Sequence, residues 1–383
     1  MDLDFLSPVS TDVLEYLKGL SSQHLGSKVA VHTEKDFPNL DFVKIVLIGV
    51  LDNRGSNSSL EDVNLDNIRK EIYGLFPGNW DAPIADLGDI LSGNTINDTY
   101  YALQEVVSKL LKLKIIPIVI GGSQDLTYAL YRSYDELEQM VNLVSIDNKF
   151  DFGNHNGPIN NSSYLSKIVI DEPNNLFNYC NLGFQTYYNS QEEIDLMEKL
   201  FFEAYRLGDL SNNIAVAEPV FRDSDLVSLD LTSVMSSDSG NFITFAPNGF
   251  SGKEICSLSR YAGISDKTSL FGIFNHNNIK QEAVLIAQIV WYFIEGFHYR
   301  SNEYPFGSKE EYLKYIVPIE EEQLVFYKSN KTERWWIEIP FISKISNKLK
   351  RNTLLPCTYD DYLGACNQEL PERWWKAQRK NTI

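Results

Sequence analysis

Short apolar runs, each ending in small or acidic residues, recur along the first 300 residues of the chain. Amphipathic stretches with apolar positions at helical spacing lie between them, at 99–113, 191–208 and 280–297. Strands that alternate with helices in this way are typical of a mainly parallel sheet covered on both faces. The runs that we predict to be strands are 42–50, 114–122, 142–148, 166–171, 225–231 and 269–275.

The composition of the chain changes near Tyr304 and Pro305. Residues 304–383 contain 13 Lys and Arg against 11 Asp and Glu and hold four of the six tryptophans. The first 303 residues carry a net charge of −20, so the chain as a whole has a net charge of −18. We predict an N-terminal segment (1–40), an α/β domain (41–303) and an aromatic-rich C-terminal extension (304–383).

Charge and hydropathy exclude several classes of function. A net charge of −18 argues against nucleic acid as a partner. No run of about 18 apolar residues is present, so we predict no membrane-spanning helix. The N-terminus has acids and a proline where a signal peptide has a basic head and an apolar core. The four cysteines have no zinc-site spacing, and reduced thiols in a cytoplasmic protein are the expected state.

Three of the predicted strands end in unusual polar residues. Gln124 and Asp125 follow a Gly-Gly turn in the segment IGGSQDLT. SIDNKFD supplies Asp147, Lys149 and Asp151, and SLDLTSV supplies Asp230 and Thr232. Ligands bind beyond the carboxyl ends of the strands in sheets of this kind. Residues i and i+2 of a strand face the same side, so the spacing places Lys149 on the same side as Asp147.

These segments resemble, in order, the blocks GGxHS, DAHxD and SxDxDxxD of the ureohydrolase superfamily, which includes arginase, agmatinase and formimidoylglutamase. IGVLDNRGSN with NIRKEIYGL, ADLGDI (85–90) and PNGFSGKEI (247–255) resemble further landmarks of that family. The resemblance covers about residues 40 to 300. It implies a three-layer α/β/α arginase-like fold with a mainly parallel sheet. It also implies hydrolysis of a linear amidine C–N bond by a hydroxide that bridges two manganese ions.

The resemblance also implies a set of metal ligands, two histidines and four aspartates in the family. The matching positions here are Gln124, Asp147, Lys149, Asp151, Asp230 and Thr232. Both histidines and one aspartate are therefore replaced. The ligands of one metal survive as three aspartates with Gln124 in place of imidazole, whereas the second metal loses its histidine to Lys149 and an aspartate to Thr232.

Counting charges suggests what holds these carboxylates together. Three aspartates and Lys149 leave a charge of −2, which one divalent cation would neutralise. We expect the ammonium of Lys149 to occupy the second metal position and to pair with Asp147 or Asp230. A site made only of oxygen ligands suits Mn²⁺, Mg²⁺ or Ca²⁺ rather than zinc. The alternative is a structural salt-bridge cluster that binds no ion.

Two more residues are catalytic candidates by resemblance: Glu254, which matches the family's substrate-orienting acid, and His155, near the position of a catalytic histidine in some members. Two functions follow. One is a catalytically silent protein that acts by binding, either through its aromatic C-terminal extension or through the remodelled pocket, for which a small amidine or amino-acid-like ligand is expected. The other is a hydrolase of linear amidines with at most one divalent metal. The extension 304–383 is expected to be a packed subdomain or a surface for a protein partner or a second copy.

Overall fold

In the computed structural model a ten-stranded sheet forms the centre of the chain. The structure describes residues 4–56, 63–80, 83–137, 139–154, 156–243, 246–303, 310–319, 322–339 and 354–382. The strands of the central sheet are β1 Leu6–Ser7, β2 Ala30–Val31, β3 Ile45–Leu51, β4 Ile84–Leu91, β5 Ile116–Gly121, β6 Val141–Ile146, β7 Leu176–Phe184, β8 Glu203–Arg206, β9 Leu226–Asp230 and β10 Leu270–Phe274.

The order of the strands is β1-β4-β3-β5-β10-β9-β6-β7-β8, and β2 also pairs with β4. All pairs are parallel except β1 with β4. β1 and β2 come from the first 40 residues, so that segment contributes to the sheet edge. The carboxyl ends of β5, β10, β9 and β6 are therefore side by side.

Helices cover both faces of the central sheet. Along β3, Ile45 and Leu47 face one apolar core, and Val46, Ile48 and Val50 face the other. This alternation confirms the predicted α/β/α layers and the mainly parallel sheet. The helices are α1 Thr11–Lys18, α2 Asp66–Gly74, α3 Ile96–Lys112, α4 Leu126–Arg132, α5 Tyr164–Ile170, α6 Gln191–Lys199, α7 Leu207–Asn212, α8 Glu218–Arg222, α9 Ser236–Ser239, α10 Gly252–Ile264, α11 Lys280–His298, α12 Tyr359–Cys366 and α13 Glu372–Thr382. Within the described part of the chain, none of these helices has the length and apolar character needed to span a membrane.

Two of the predicted elements are wrong. The run 166–171 belongs to α5, where Tyr164, Leu165 and Ile168 bury one helical face in the core. The single helix predicted at 191–208 ends at Lys199, because the chain turns at Phe201 with a φ of 54°. The chain then adds β8 to the edge of the sheet, parallel to β7.

The C-terminal extension forms a second, antiparallel sheet. Its strands lie in the order β11 Tyr312–Ile319, β12 Glu322–Ser329, β13 Trp335–Glu338 and β14 Leu354–Cys357. One face packs against α12 and α13 and buries Trp335 and Trp374. Trp336 is buried on the opposite face, beside Arg222. An ion pair and hydrogen bonds of two arginines join it to the main body. Arg222 donates to the carbonyls of Trp335 and Cys357, and Arg373 pairs with Glu203 on β8 at 2.6 Å.

Candidate functional site

The order of the strands brings together the residues that the sequence singled out. Gln124 follows β5, Asp230 ends β9, and Asp147 and Asp151 follow β6, while β10 lies between β5 and β9. All four side chains are buried. The charges of Asp147, Asp151 and Asp230 interact with one another, so the three carboxyl groups lie close together. A buried carboxyl cluster therefore exists at the carboxyl ends of the strands.

A similar turn shapes the loop after β6 and the loop after β9. Asp147 Oδ1 accepts a hydrogen bond from the backbone N–H of Lys149 at 2.9 Å. Asp230 Oδ1 accepts one from the backbone N–H of Thr232 at 2.7 Å. Short Asp side chains that bond the backbone two residues on are typical turn formers. These turns end the extended conformation, so side chains two residues apart no longer face the same side.

Lys149 differs from the expectation for this reason. Its side chain is exposed, and its Nζ lies 5.7 Å from the centre of the Tyr188 ring. Within the described residues, it forms no ion pair with a carboxylate, so the expected pairing with Asp147 or Asp230 is absent there. Burial raises the pKa of Asp151 and of Asp230, and the charge of the Lys149 ammonium opposes this rise as a smaller effect over a longer range.

Gln124 and Asp147 each present an acceptor without a donor. Gln124 Nε2 donates to Tyr164 Oη at 3.2 Å and to Ser145 Oγ at 3.4 Å, but its Oε1 has no hydrogen-bond partner in the described structure. Asp147 Oδ2 is likewise buried without a donor among the described groups. Buried acceptors without partners carry a desolvation cost of about 1–3 kcal/mol each. These two oxygens are thus positions where a donor or a cation would be stabilised.

Burial raises the pKa of each carboxyl group in the cluster, and mutual repulsion adds to this effect for Asp147 and Asp151. Burial, followed by the charge of Asp230, raises the pKa of Asp147 to about 7. Burial, followed by the charges of Asp147 and Asp230, raises the pKa of Asp151 well above its ordinary value. Burial also raises the pKa of Asp230. The hydrogen bonds from Thr232 act in the opposite direction and lower this pKa, but burial has the larger effect. The cluster therefore favours ligands that bring positive charge.

As placed, these side chains do not fit a two-manganese centre. An ammonium such as that of Lys149 has no lone pair to offer a metal, and the hydroxyl of Thr232 would replace a charged oxygen with a neutral one. In the part of the chain that the structure describes, no group of three or more His, Cys, Asp or Glu side chains is arranged to hold a metal ion. To bind one metal ion, the side-chain oxygens of Gln124, Asp147, Asp151 and Asp230 would have to move closer to one another.

The two catalytic candidates are placed differently. Glu254 forms a capping box at the start of α10, because its Oε2 accepts from both the backbone N–H and the hydroxyl of Ser251 at 2.8 Å. One of its oxygens is thus engaged by the helix terminus. His155 lies outside the described residues. Roles for both in catalysis stay predictions.

Asn275 belongs to the site although sequence reasoning only noted its segment. It follows β10 with a φ of 61°, and its Oδ1 accepts the backbone N–H of Gln124 at 3.2 Å. Asn is the residue type besides Gly that most readily adopts this backbone conformation. The signal that could have identified it is an Asn directly after a buried strand. That strand, β10, lies between β5 and β9, which position Gln124 and Asp230.

Comparisons with known proteins identify the family to which the chain is similar. The model of the arginase family matches residues 44–260, more than half of the chain. A formimidoylglutamase of Geobacillus sp. (strain WCH70) is 24% identical over 209 residues, which are 51% of this chain and 63% of that relative. One from Macrococcus caseolyticus (strain JCSC5402) is 26% identical over 35% of this chain and 43% of its own. The chain thus spans less than two thirds of these relatives.

Solved structures show the same fold at low sequence identity. A formiminoglutamase of Trypanosoma cruzi with Mn²⁺ has a TM-score of 0.62 and 18% identity, covering 72% of this chain and 99% of its own. Formimidoylglutamase from Bacillus subtilis has a TM-score of 0.62 and 16% identity, with coverages of 70% and 91%. Agmatine ureohydrolase of Thermoplasma volcanium has a TM-score of 0.56 and 19% identity, with coverages of 74% and 97%. Because the family model matches most of the α/β domain, the chain belongs to the arginase family.

Proposed function

We propose that this arginase-family protein is catalytically silent toward the two-manganese reaction and acts by binding a small amidine or amino-acid-like ligand at the carboxyl cluster. The supporting observation is the pair of residues at the second metal position. Lys149 is exposed and offers no lone pair, and Thr232 offers only a neutral oxygen. Without a second metal, the bridging hydroxide that the family reaction needs has no place to form.

The orphaned oxygens favour an amidine as the ligand. A protonated amidine is planar, carries one positive charge and presents several N–H donors, which suits bidentate pairing with oxygen acceptors. Gln124 Oε1 and Asp147 Oδ2 are buried acceptors that lack donors. An amidinium placed there would satisfy both oxygens and would offset the repulsion among the three carboxylates. Binding would lower the pKa of Asp147 and release its proton.

The second candidate is a hydrolase of linear amidines that uses a single divalent cation. The same orphaned oxygens support it, because Gln124, Asp147, Asp151 and Asp230 would be the ligands of Mn²⁺, Mg²⁺ or Ca²⁺. A cation held there would supply an activated water, and Glu254 would orient the substrate. The names of the relatives make N-formimidoyl-glutamate the substrate to test first.

One experiment separates these functions. Purified protein is equilibrated with Mn²⁺ or Mg²⁺, freed of excess ion and analysed for metal by mass spectrometry. The same samples are tested for glutamate release from N-formimidoyl-glutamate and for acetamidine binding by calorimetry. Silent binding predicts acetamidine binding without metal and no glutamate. One metal per chain with glutamate release would overturn it in favour of the hydrolase, and two metals per chain would overturn both.

A restoration series tests whether the replaced ligands are responsible. The triple variant Gln124→His, Lys149→His and Thr232→Asp should bind Mn²⁺ in a chelator-sensitive manner. The single variant Thr232→Asp serves as the matched control, since it adds only one carboxylate to a cluster that already repels charge. Mn²⁺ binding by the control as tight as that of the triple variant would contradict the assignment of Gln124 and Lys149 to ligand positions.

A further inference from the structure

A cavity lies away from the carboxyl cluster, between α8 and the antiparallel sheet. Its volume is about 630 Å³, within the range of about 300–1,000 Å³ that is common for small-molecule sites. Residues of α8, including Glu218 and Arg222, form one side, and Trp335 with the start of α12 forms the other. Ligand sites often lie at such junctions between structural units. None of the ureohydrolase motifs contributes to it.

The wall on the side of the second sheet is aromatic. The rings of Trp335 and Tyr362 stack at 4.7 Å with an interplanar angle of 24°, and those of Tyr359 and Tyr362 at 5.9 Å with 23°. Tyr315 packs against Trp335 at 5.1 Å. Tyr359 lines the cavity. This residue is 52% exposed, so part of its ring is open to the cavity. Nearly parallel rings with an open face provide a stacking surface for a further planar ring.

The charges around this wall are mainly positive, in a chain with a net charge of −18. Three cations, Arg222, Lys328 and Arg334, face two acids, Glu218 and Glu333. Glu218 is occupied by both arginines, with its Oε1 at 3.0 Å from Arg222 Nε and 3.3 Å from Arg334 Nε. Glu333 meets Lys328 at 3.4 Å but is 80% exposed in its side chain. Such an exposed pair holds its partners weakly.

Two of the cations have donors left for a ligand. Arg222 is committed to the backbone carbonyls of Trp335 and Cys357. Arg334 uses Nε for Glu218 and Nη1 for Ser301, and within the described residues its Nη2 has no partner. Lys328 is the register partner of Trp335 on the neighbouring strand, so its ammonium stands beside the aromatic wall. A negative group on a stacked ring would meet both donors.

We propose that this cavity binds a small planar aromatic ring that carries one anionic group, a carboxylate or a phosphate. The ring stacks on the wall formed by Tyr359, Tyr362 and Trp335. The anionic group pairs with Lys328 and Arg334. The site is independent of the carboxyl cluster and of any activity there.

The test uses the full chain and two probes with matched neutral partners. The probes are 4-hydroxyphenylacetate, a ring carboxylate, and adenosine monophosphate, a ring phosphate, with 4-hydroxyphenylethanol and adenosine as the uncharged controls. Titration calorimetry and tryptophan fluorescence report binding. We expect one of the anions to bind at least about tenfold more tightly than its neutral partner, which identifies the carboxylate or the phosphate as the recognised group.

Variants locate the binding. Lys328→Ala should weaken the anion about fivefold or more and leave the neutral control unchanged, and Tyr359→Ala should weaken both by a similar factor. Lys314→Ala, an exposed lysine on β11, is the matched control and should change nothing. Circular dichroism verifies folding of each variant. Equal binding of charged and neutral probes, no binding of any probe at millimolar concentration, or an equal effect of Lys314→Ala would each overturn the proposal.

Discussion

Replacing Lys149 by methionine tests whether this lysine stabilises the carboxyl cluster. The structure gives its side chain an exposed position and one close interaction, with the Tyr188 ring at 5.7 Å. A cation–π contact at an exposed site contributes about 0.5–1 kcal/mol. The hydrogen bond from Lys149 to Asp147 uses the backbone N–H and survives the substitution. We therefore expect Lys149→Met to lower the free energy of unfolding by about 1 kcal/mol or less.

A lysine buried among the carboxylates would behave differently. Removing one partner of a buried ion pair costs about 3–5 kcal/mol, because the other charge stays buried. Arg69→Met is the matched control in this chain. Arg69 is buried, its Nε lies 2.9 Å from Asp86 and its Nη2 lies 2.8 Å from Asp89. Tyr73 Oη also donates to Asp86 at 2.6 Å. The Arg69→Met substitution leaves both Asp86 and Asp89 without their cation.

Urea unfolding at pH 7, followed by circular dichroism in the absence of divalent ions, measures both variants. The expected pattern is a small loss for Lys149→Met and a loss of about 3–5 kcal/mol for Arg69→Met. A loss of similar size in the two variants would refute our reading of Lys149 and would place its ammonium inside the cluster. If no ion binds, adding Mn²⁺ should not change which of the two variants loses more stability.

Two further predictions concern stability. Burial raises the pKa of Glu282 to about 7 from 4.5, so the unfolded state ionises first and stability falls by roughly 3 kcal/mol as pH rises from 4.5 to 7. Glu282→Gln should remove most of that fall in urea unfolding at pH 5 and pH 8, and an unchanged pH dependence would contradict it. Arg373→Met leaves Glu203 buried without its partner at 2.6 Å, and we expect a loss of about 3–5 kcal/mol by calorimetry; a loss below about 1 kcal/mol would mean that α13 is held by other contacts.

Periodicity predicted the five neighbouring strands at the middle of the central sheet, but it missed the long strands β4 and β7 and failed where tertiary packing decided. β5, β9 and β10 lie within predicted apolar runs, and β3 and β6 each extend one residue beyond theirs. The run 166–171 has the β-branched residues typical of a strand, yet it forms α5, because its apolar positions also match one helical face. Short apolar runs carry both patterns, and only the neighbouring layer selects one.

The location of the carboxyl cluster could be predicted from the sequence, but the geometry inside the cluster could not. Residues at the ends of adjacent parallel strands must lie close together, so Gln124, Asp147 and Asp230 could be grouped from sequence. The direction of Lys149 could not, because it depends on the turn closed by the Asp147 carboxylate. The same limit applies to Asn275, whose role depends on a left-handed backbone conformation rather than on a motif.

Asp147 offers a last test, because it combines a turn-forming role with a proposed ligand-binding role, and substitution can separate the two. In Asp147, Oδ1 holds the loop through the N–H of Lys149, and Oδ2 is free of donors within the described structure. Asp147→Asn keeps an acceptor for that N–H and removes the charge, whereas Asp147→Leu removes both. We expect the leucine variant to lose about 1–3 kcal/mol of stability, the cost of an unsatisfied buried group.

The asparagine variant should be as stable as the wild type or more so, because it relieves repulsion from Asp230 and the cost of burying a charge. It should also bind acetamidine at least about tenfold more weakly, since it lacks the carboxylate that pairs with an amidinium. Equal acetamidine affinity in the asparagine variant and the wild type would remove Asp147 from the ligand site. The aspartate would then be retained for its turn alone, because the loop after β6 needs an acceptor there whether or not any cation binds.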